Sequence, residues 1–117
     1  MRSLFPLLLA GHLIGDFVIQ TDTQAARKMD TWTANQMHML TYHLTMAAFV
    51  LPVWHNRWTA LALCVSWITH SVIDRRWPTR MILEKTGSKE FARGWGMFPA
   101  DQALHIAILA VISTVAQ

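Results

Sequence analysis

The sequence over residues 12–20 reads HLIGDFVIQ, and the spacing of its polar side chains decides the fold. His12, Asp16 and Gln20 are four positions apart, so they share one face of a helix that is otherwise mostly apolar. Similar pairs occur in three further apolar stretches: His38 and Tyr42, His70 and Asp74, and Asp101 and His105. If successive stretches run in opposite directions, all four pairs lie at the same level of one helical bundle.

The composition is typical of a membrane protein. The chain has 117 residues, which is enough for one domain. Hydrophobic residues make up 53% and charged residues 15%, whereas soluble domains have about 25% charged residues. The formal net charge of +3 is too small to indicate a nucleic-acid-binding protein. We therefore predict a single integral membrane domain over residues 1–117, with the lipid bilayer and not nucleic acid as its partner.

Four apolar segments approach the ~20 residues that a helix needs to cross a bilayer. They are residues 3–20, 35–54, 58–74 and 99–116. Residues 2–10 also resemble the start of a signal peptide, but no small-x-small cleavage site follows, so we expect a retained helix. The predicted fold is all-α: a four-helix transmembrane bundle with a short interfacial segment between helices three and four, including a short helix over residues 79–85.

The tryptophans are placed as in a membrane protein. Trp54 and Trp58 flank the turn between the second and third segments, whereas Trp32, Trp77 and Trp95 lie near the opposite ends. Indole rings favour the boundary between water and lipid because they combine an apolar ring with a polar N–H group. The alternative is that these rings fill the core of a small soluble bundle.

Lysines and arginines predict the orientation in a bacterial inner membrane. Eight of the ten lie in the two long loops, and only Arg2 and Arg57 lie on the other side. The eight are Arg27, Lys28, Arg75, Arg76, Arg80, Lys85, Lys89 and Arg93. Because cytoplasmic loops carry an excess of positive charge, we expect both long loops in the cytoplasm. The polar pairs then lie in the cytoplasmic half of the membrane.

The polar pairs have the composition of a metal site. Histidine nitrogens and aspartate oxygens suit Zn, Mn or Fe, and no lysine or arginine inside the four segments offsets the carboxylate charge. We predict a divalent metal, zinc first, with Mn or Fe as alternatives. The predicted ligands are His12, Asp16, His38, His70, Asp74, Asp101 and His105. A metal-free polar network and an ion path remain alternatives.

These motifs resemble those of domain-of-unknown-function family 3307, which comprises small phage and bacterial membrane proteins. The resemblance rests on HLIGDFVIQ at residues 12–20, HMLTY at 38–42, HSVID at 70–74 and DQALH at 101–105. It extends from about residue 7 to residue 109 and implies the bundle architecture more than a function. The pattern is also distantly similar to that of small membrane proteins classed as metal-dependent hydrolases, which is an analogy only.

Three functions fit the sequence. The first is a membrane-embedded, metal-dependent hydrolase acting near the cytoplasmic leaflet on a lipid headgroup or phosphoester, with Asp16 or Asp101 accepting the proton. The second is a non-enzymatic protein with a structural metal or polar cluster, acting through protein or membrane contacts, for example to exclude competing phages. The third is a proton or ion path, which the apolar residues 47–51 and 60–63 disfavour in a single copy. A homo-oligomer is compatible with each.

Overall fold

The computed structural model describes residues 3–116, and every regular element in that range is a helix. The helices are α1 (Phe5–Phe17), α2 (Asp22–Arg27), α3 (Trp32–Val50), α4 (Arg57–Ile73), α5 (Trp77–Lys85), α6 (Lys89–Arg93) and α7 (Met97–Val115). The prediction of an all-α fold is confirmed, and the four longest helices coincide with the four apolar segments. Arg2, one of the two basic residues expected on the side opposite the long loops, lies outside the described residues.

Short polar side chains set the starts of three helices. The hydroxyl of Thr21 accepts a hydrogen bond from the Gln24 N–H and completes a capping box at α2, in a stretch expected to be loop. Thr31 caps α3 in the same way. The side chain of Asn56 accepts from two backbone N–H groups at the start of α4. These caps satisfy N–H groups that the first turn of a helix leaves unpaired.

The four long helices form a closed ring. Helix α1 packs along α3, α3 against α4, α4 against α7, and α7 against α1. Gly11 and Gly15 bring α1 close to α3, because a Cβ atom at Gly11 would lie 3.0 Å from the Met46 Cα atom. Helices α2, α5 and α6 lie in the two long loops, at the end of the bundle that carries the polar pairs. Helix α5 matches the short helix expected there.

The interior of the bundle has two layers. One is an apolar layer built from the start of α1, the end of α3, the start of α4 and the end of α7. It contains Leu4, Leu8, Tyr42, Met46, Val50, Ala62, Leu109, Ile112 and Ala116. The other layer lies at the opposite end of the same helices and contains buried histidines and aspartates. Tyr42 lies between the two layers, since it packs in the first and contacts histidines of the second.

One described helix, Met97–Val115, is long and apolar enough to cross a membrane, and a single helix of this kind is weak support for a membrane span. A bundle with four spans is therefore not confirmed. Helix α1 has 13 residues, fewer than the ~20 that a full crossing requires. Helix α3 has 19 residues, but the polar residues Asn35, His38 and His43 lower its hydropathy. Those three side chains are buried inside the bundle.

Close packing at Gly15 gives a stability prediction. A Cβ atom at this position would lie 2.8 Å from the Tyr42 ring, which is fully buried and held by a hydrogen bond to His12. We expect Gly15→Ala to lower the free energy of unfolding by about 1–3 kcal/mol, because the ring has no space to move. Thermal unfolding of the purified protein measures it. Ala48→Val, at an exposed position of α3, is the control, and an equally small effect of both would contradict the prediction.

Candidate metal centre

Four buried side chains from three helices meet in the polar layer. Asp16 is supplied by α1, His70 and Asp74 by the end of α4, and His105 by α7. Each offers one ligand atom, and these atoms lie within 4.8 Å of one another. Each residue is at most 3% exposed. The sequence therefore brings together four of its seven predicted ligands as a single group.

The distances within this group suit a metal ion. The Nε2 atom of His70 lies 3.3 Å from Oδ2 of Asp74 and 3.5 Å from Oδ1 of Asp16. The Nε2 atom of His105 lies 3.4 Å from Oδ1 of Asp74. Four ligands at metal bonds of ~2.0–2.1 Å in a tetrahedron are separated by roughly 3.3–3.4 Å. Three contacts within the group thus have the separation expected between ligands of one zinc ion, and all four ligand atoms lie within 4.8 Å of one another.

Several donor atoms have no hydrogen-bond partner. Among the described residues, Oδ2 of Asp16 and the Nε2 atoms of His70 and His105 are buried without one. The two imidazole nitrogens instead lie at ion-pair distances of 3.3–3.5 Å from carboxylate oxygens of Asp74 and Asp16. Carboxylate oxygens and imidazole nitrogens are also the atoms that bind a divalent metal. The residues present therefore fit a metal ion.

His105 is oriented for this role by its own helix. Its Nδ1–H group donates a hydrogen bond to the backbone carbonyl of Asp101 at 2.8 Å. A proton on Nδ1 leaves the lone pair on Nε2, and this atom faces Asp74 of the group. Fixing a ring in this way by its second nitrogen is a common feature of histidine ligands.

His38 lies against the two carboxylates of the group. Its Nε2 atom is 3.0 Å from Oδ1 of Asp16 and 3.3 Å from Oδ2 of Asp74. The ring is fully buried. A hydrogen bond from Nε2 holds Asp16 in place, so the structure assigns His38 a positioning contact with the predicted ligands.

His12 has both ring nitrogens engaged. Its Nδ1 atom pairs with the Tyr42 hydroxyl at 2.9 Å, and its Nε2 atom pairs with Oε1 of Gln102 at 3.0 Å. The Nδ1 atom also lies 3.7 Å from Oδ2 of Asp16. Although predicted as a ligand, His12 is therefore placed beside the group of four rather than in it. Gln102 was missed, because its partner is 90 residues away in the sequence.

Asp101 also lies at the edge of the group. Its Oδ1 atom accepts a hydrogen bond from the hydroxyl of Thr79 at 3.1 Å, and its Oδ2 atom lies 3.6 Å from Nδ1 of His105. Both Asp101 and Thr79 are buried. Helix α5 is thereby fastened to the site. His43 lies outside the group of four and contacts Ser66 and the Met39 carbonyl.

Lys28 is a site residue that sequence reasoning missed. Its Nζ atom lies 3.0 Å from Oδ2 of Asp74, and the residue is 9% exposed. The four apolar segments do lack a lysine or arginine, but this cation reaches the site from the end of α2. It offsets one of three buried carboxylates, so two remain for the histidines or a metal to balance.

The family match covers almost all of these elements. Residues 4–117 match the family described as protein of unknown function (DUF3307). The chain belongs to the DUF3307 family. The match includes every residue of the centre, and the resemblance noted from the motifs is confirmed. No curated protein and no solved structure matches the chain.

The Lys28 contact yields a test of the charge balance. We expect Lys28→Met to lower the free energy of unfolding by roughly 3–5 kcal/mol in chelator, because Asp74 loses its cation. Added Zn²⁺ should recover part of the loss, since a divalent ion replaces the missing charge. Thermal unfolding with and without zinc measures both effects. Lys85→Met, at an exposed position of α5, is the control, and identical behaviour of the two variants would refute the prediction.

Proposed function

We propose that this DUF3307 protein is a multi-pass protein of the bacterial inner membrane that binds a divalent metal ion and hydrolyses a phosphoester or lipid headgroup near the cytoplasmic surface. The observation that carries the proposal is the group formed by Asp16, His70, Asp74 and His105, whose ligand atoms lie within 4.8 Å of one another. Such a set of donors, buried among apolar helices, is expensive to maintain without a function.

The distribution of polarity supports a membrane location. Large apolar side chains are exposed on all four long helices, including Leu13 (42%), Leu44 (64%), Ile68 (66%) and Val111 (64%). Histidines and aspartates are buried instead. A protein in water would place these groups the other way round. The exposed tryptophans, such as Trp95 at 77%, also argue against a soluble bundle with indoles in its core.

The donor set favours zinc. Two imidazoles and two carboxylates, buried and with ligand atoms within 4.8 Å of one another, form a ligand combination that zinc accepts, with Mn or Fe as alternatives. A bound divalent ion would supply a water of lowered pKa and polarise the bond under attack. In this scheme Asp16, His70, Asp74 and His105 hold the ion, and His38 orients the carboxylates.

Asp101 is the residue best placed to accept a proton. It is a buried carboxylate beside the group of four but outside it, so metal binding leaves it uncoordinated. Thr79 fixes one oxygen, and the other faces His105. Asp16, the other proton acceptor expected from the sequence, is one of the four donors and is assigned to metal binding.

A structural role for the metal is the second candidate. The cavity lined by His70 and His105 has a volume of only about 10 Å³, which is near the minimum for one water molecule. A closed centre of this kind suits a metal that fastens four helices and performs no reaction. In that case the protein would act through membrane or protein contacts. The apolar layer at the other end of the bundle argues against the third function, a proton or ion path through a single copy.

Metal analysis tests the shared part of both candidates. We expect about one zinc per chain in the purified wild-type protein, and a loss of most of it in His70→Ala and His105→Ala, because each removes one of four ligands. Elemental analysis by mass spectrometry measures the ratio. His55→Ala, which removes an exposed histidine, should retain the metal. Wild-type protein that stays metal-free after zinc loading would defeat both candidates.

Asp101→Asn separates the hydrolase from the structural role. The amide cannot accept a proton, so hydrolysis of phosphoesters and phospholipids by the zinc-loaded protein should fall at least 100-fold, as for loss of a general base. Metal content should be unchanged, because Asp101 is outside the donor group. If the wild-type protein hydrolyses nothing in such a panel and yet binds zinc, the structural role is correct.

The proposed topology is testable with single cysteines. In a Cys64→Ala background, Thr86→Cys should be protected from a membrane-impermeant thiol reagent in intact cells, and His55→Cys should be labelled once the outer membrane is permeabilised. The reason is that residue 86 follows α5 in the basic loop, whereas residue 55 lies at the opposite end of the bundle. Labelling of both or of neither in intact inner membranes would overturn this orientation.

A further inference from the structure

A basic cleft opens beside the metal centre, between the end of α2, α5, α6 and the start of α7. It has a volume of about 560 Å³. Four cationic side chains and one acidic side chain line it: Arg76, Arg80, Lys89, Arg93 and Glu84. Its remaining lining is formed by short or apolar residues, among them Met29 and Met97. The cleft therefore has a strong excess of positive charge.

Part of this charge has no close partner in the protein. Within residues 3–116, Arg76, Arg80 and Lys89 form no close ion pair, although Arg76 interacts at longer range with Asp101 and Glu84 lines the same cleft. Arg93 pairs with Glu90 at 2.8 Å, but both side chains are largely exposed. Converging cations without partners repel one another, and this repulsion is relieved when an anion binds between them.

The backbone at Arg76 is unusual. This residue links α4 to α5 and has a φ angle of +62°, the only positive value at a non-glycine residue within the described range. An arginine in this left-handed conformation is strained, and such strain persists where the surroundings fix the residue. The turn places a cleft residue two positions after Asp74, which belongs to the metal centre.

Two helices connect the cleft with the centre. On α5, Thr79 follows Arg76 by three positions and donates its hydrogen bond to Asp101. On α7, Met97 lines the cleft and precedes Asp101 by four positions. Each separation is about one helical turn, or roughly 5.4 Å along the axis. A group held in the cleft would therefore lie next to the Asp101 side of the centre.

We infer that the basic cleft is a binding site for a phosphate group. Arginine guanidinium groups match the oxygens of phosphate with paired hydrogen bonds, and three or more cations suit a phosphate that carries up to two negative charges. Phosphate binding itself does not require the metal, whereas the role of the cleft as the substrate site rests on the proposed function. A lipid headgroup and a soluble phosphate compound present the same chemistry to the cleft, and the experiment below distinguishes them.

Equilibrium dialysis of full-length protein in detergent against radiolabelled inorganic phosphate tests the site, with chelator present so that no metal contributes. The double variant Arg80→Gln/Lys89→Gln should weaken phosphate binding by roughly tenfold or more, because two charge-assisted contacts are lost. Both positions are exposed, so the variant should fold as the wild type does. Arg76→Gln should weaken binding as well.

The matched control is Arg27→Gln/Lys85→Gln, which removes the same charge from exposed positions outside the cleft. It should bind phosphate as the wild type does. Wild-type protein without phosphate binding, or an equal loss in the two double variants, would overturn the proposal in favour of a diffuse attraction to anions. Metal content is measured in a separate experiment. A protein that binds no phosphate would therefore not contradict the metal centre, and a protein that binds no metal would not contradict the phosphate site.

The source of the phosphate is distinguished in lipid nanodiscs. If phosphatidic acid in a phosphatidylcholine disc displaces inorganic phosphate from the wild type, the cleft takes a lipid headgroup. If inorganic phosphate binds equally well with and without phosphatidic acid, the cleft takes a soluble phosphate compound. Both results support the phosphate site, provided that Arg80→Gln/Lys89→Gln weakens the binding as in the dialysis experiment.

Discussion

Negative charge buried inside the bundle is the constraint on which the rest of the structure depends. Asp16, Asp74 and Asp101 are each at most 3% exposed, and an unpaired carboxylate in such a place is too costly to persist. The fold answers with contacts from every direction: imidazoles from α3, α4 and α7, a hydroxyl from α5, and the ammonium group of Lys28. Helices α2 and α5 are fastened to the long helices through two of these contacts.

The same constraint explains why the two layers of the interior are separate. The apolar layer packs by shape, with glycines on α1 allowing α3 to approach closely. The polar layer packs by hydrogen bonds and ion pairs, and it leaves donor atoms such as Nε2 of His70 with ion-pair contacts but no hydrogen bond. A metal ion is the simplest ligand that satisfies several of these atoms together. In its absence the layer would retain part of its penalty.

Much of the centre could be predicted from spacing alone. Pairs four positions apart share a helix face, and alternating helix directions bring the pairs to one level; His70, Asp74 and Asp16 therefore meet as expected. The sequence did not distinguish the residues that offer a ligand atom to a metal from the residues that hold them in place. Whether His12 binds a metal or a neighbour depends on Gln102, and such partners are set by packing between distant segments. Lys28 was missed for the same reason, since it lies outside the apolar periodicity that served as the signal.

The apolar layer has an electrical consequence. Leu4, Leu8, Met46 and Val50 close the end of the bundle that lies away from the polar centre, and Tyr42 covers its inner side. Water and protons that reach the centre from the basic loops meet hydrocarbon beyond it. In the proposed orientation, the centre would therefore lie within the membrane while the voltage and the proton gradient of the cell stay intact.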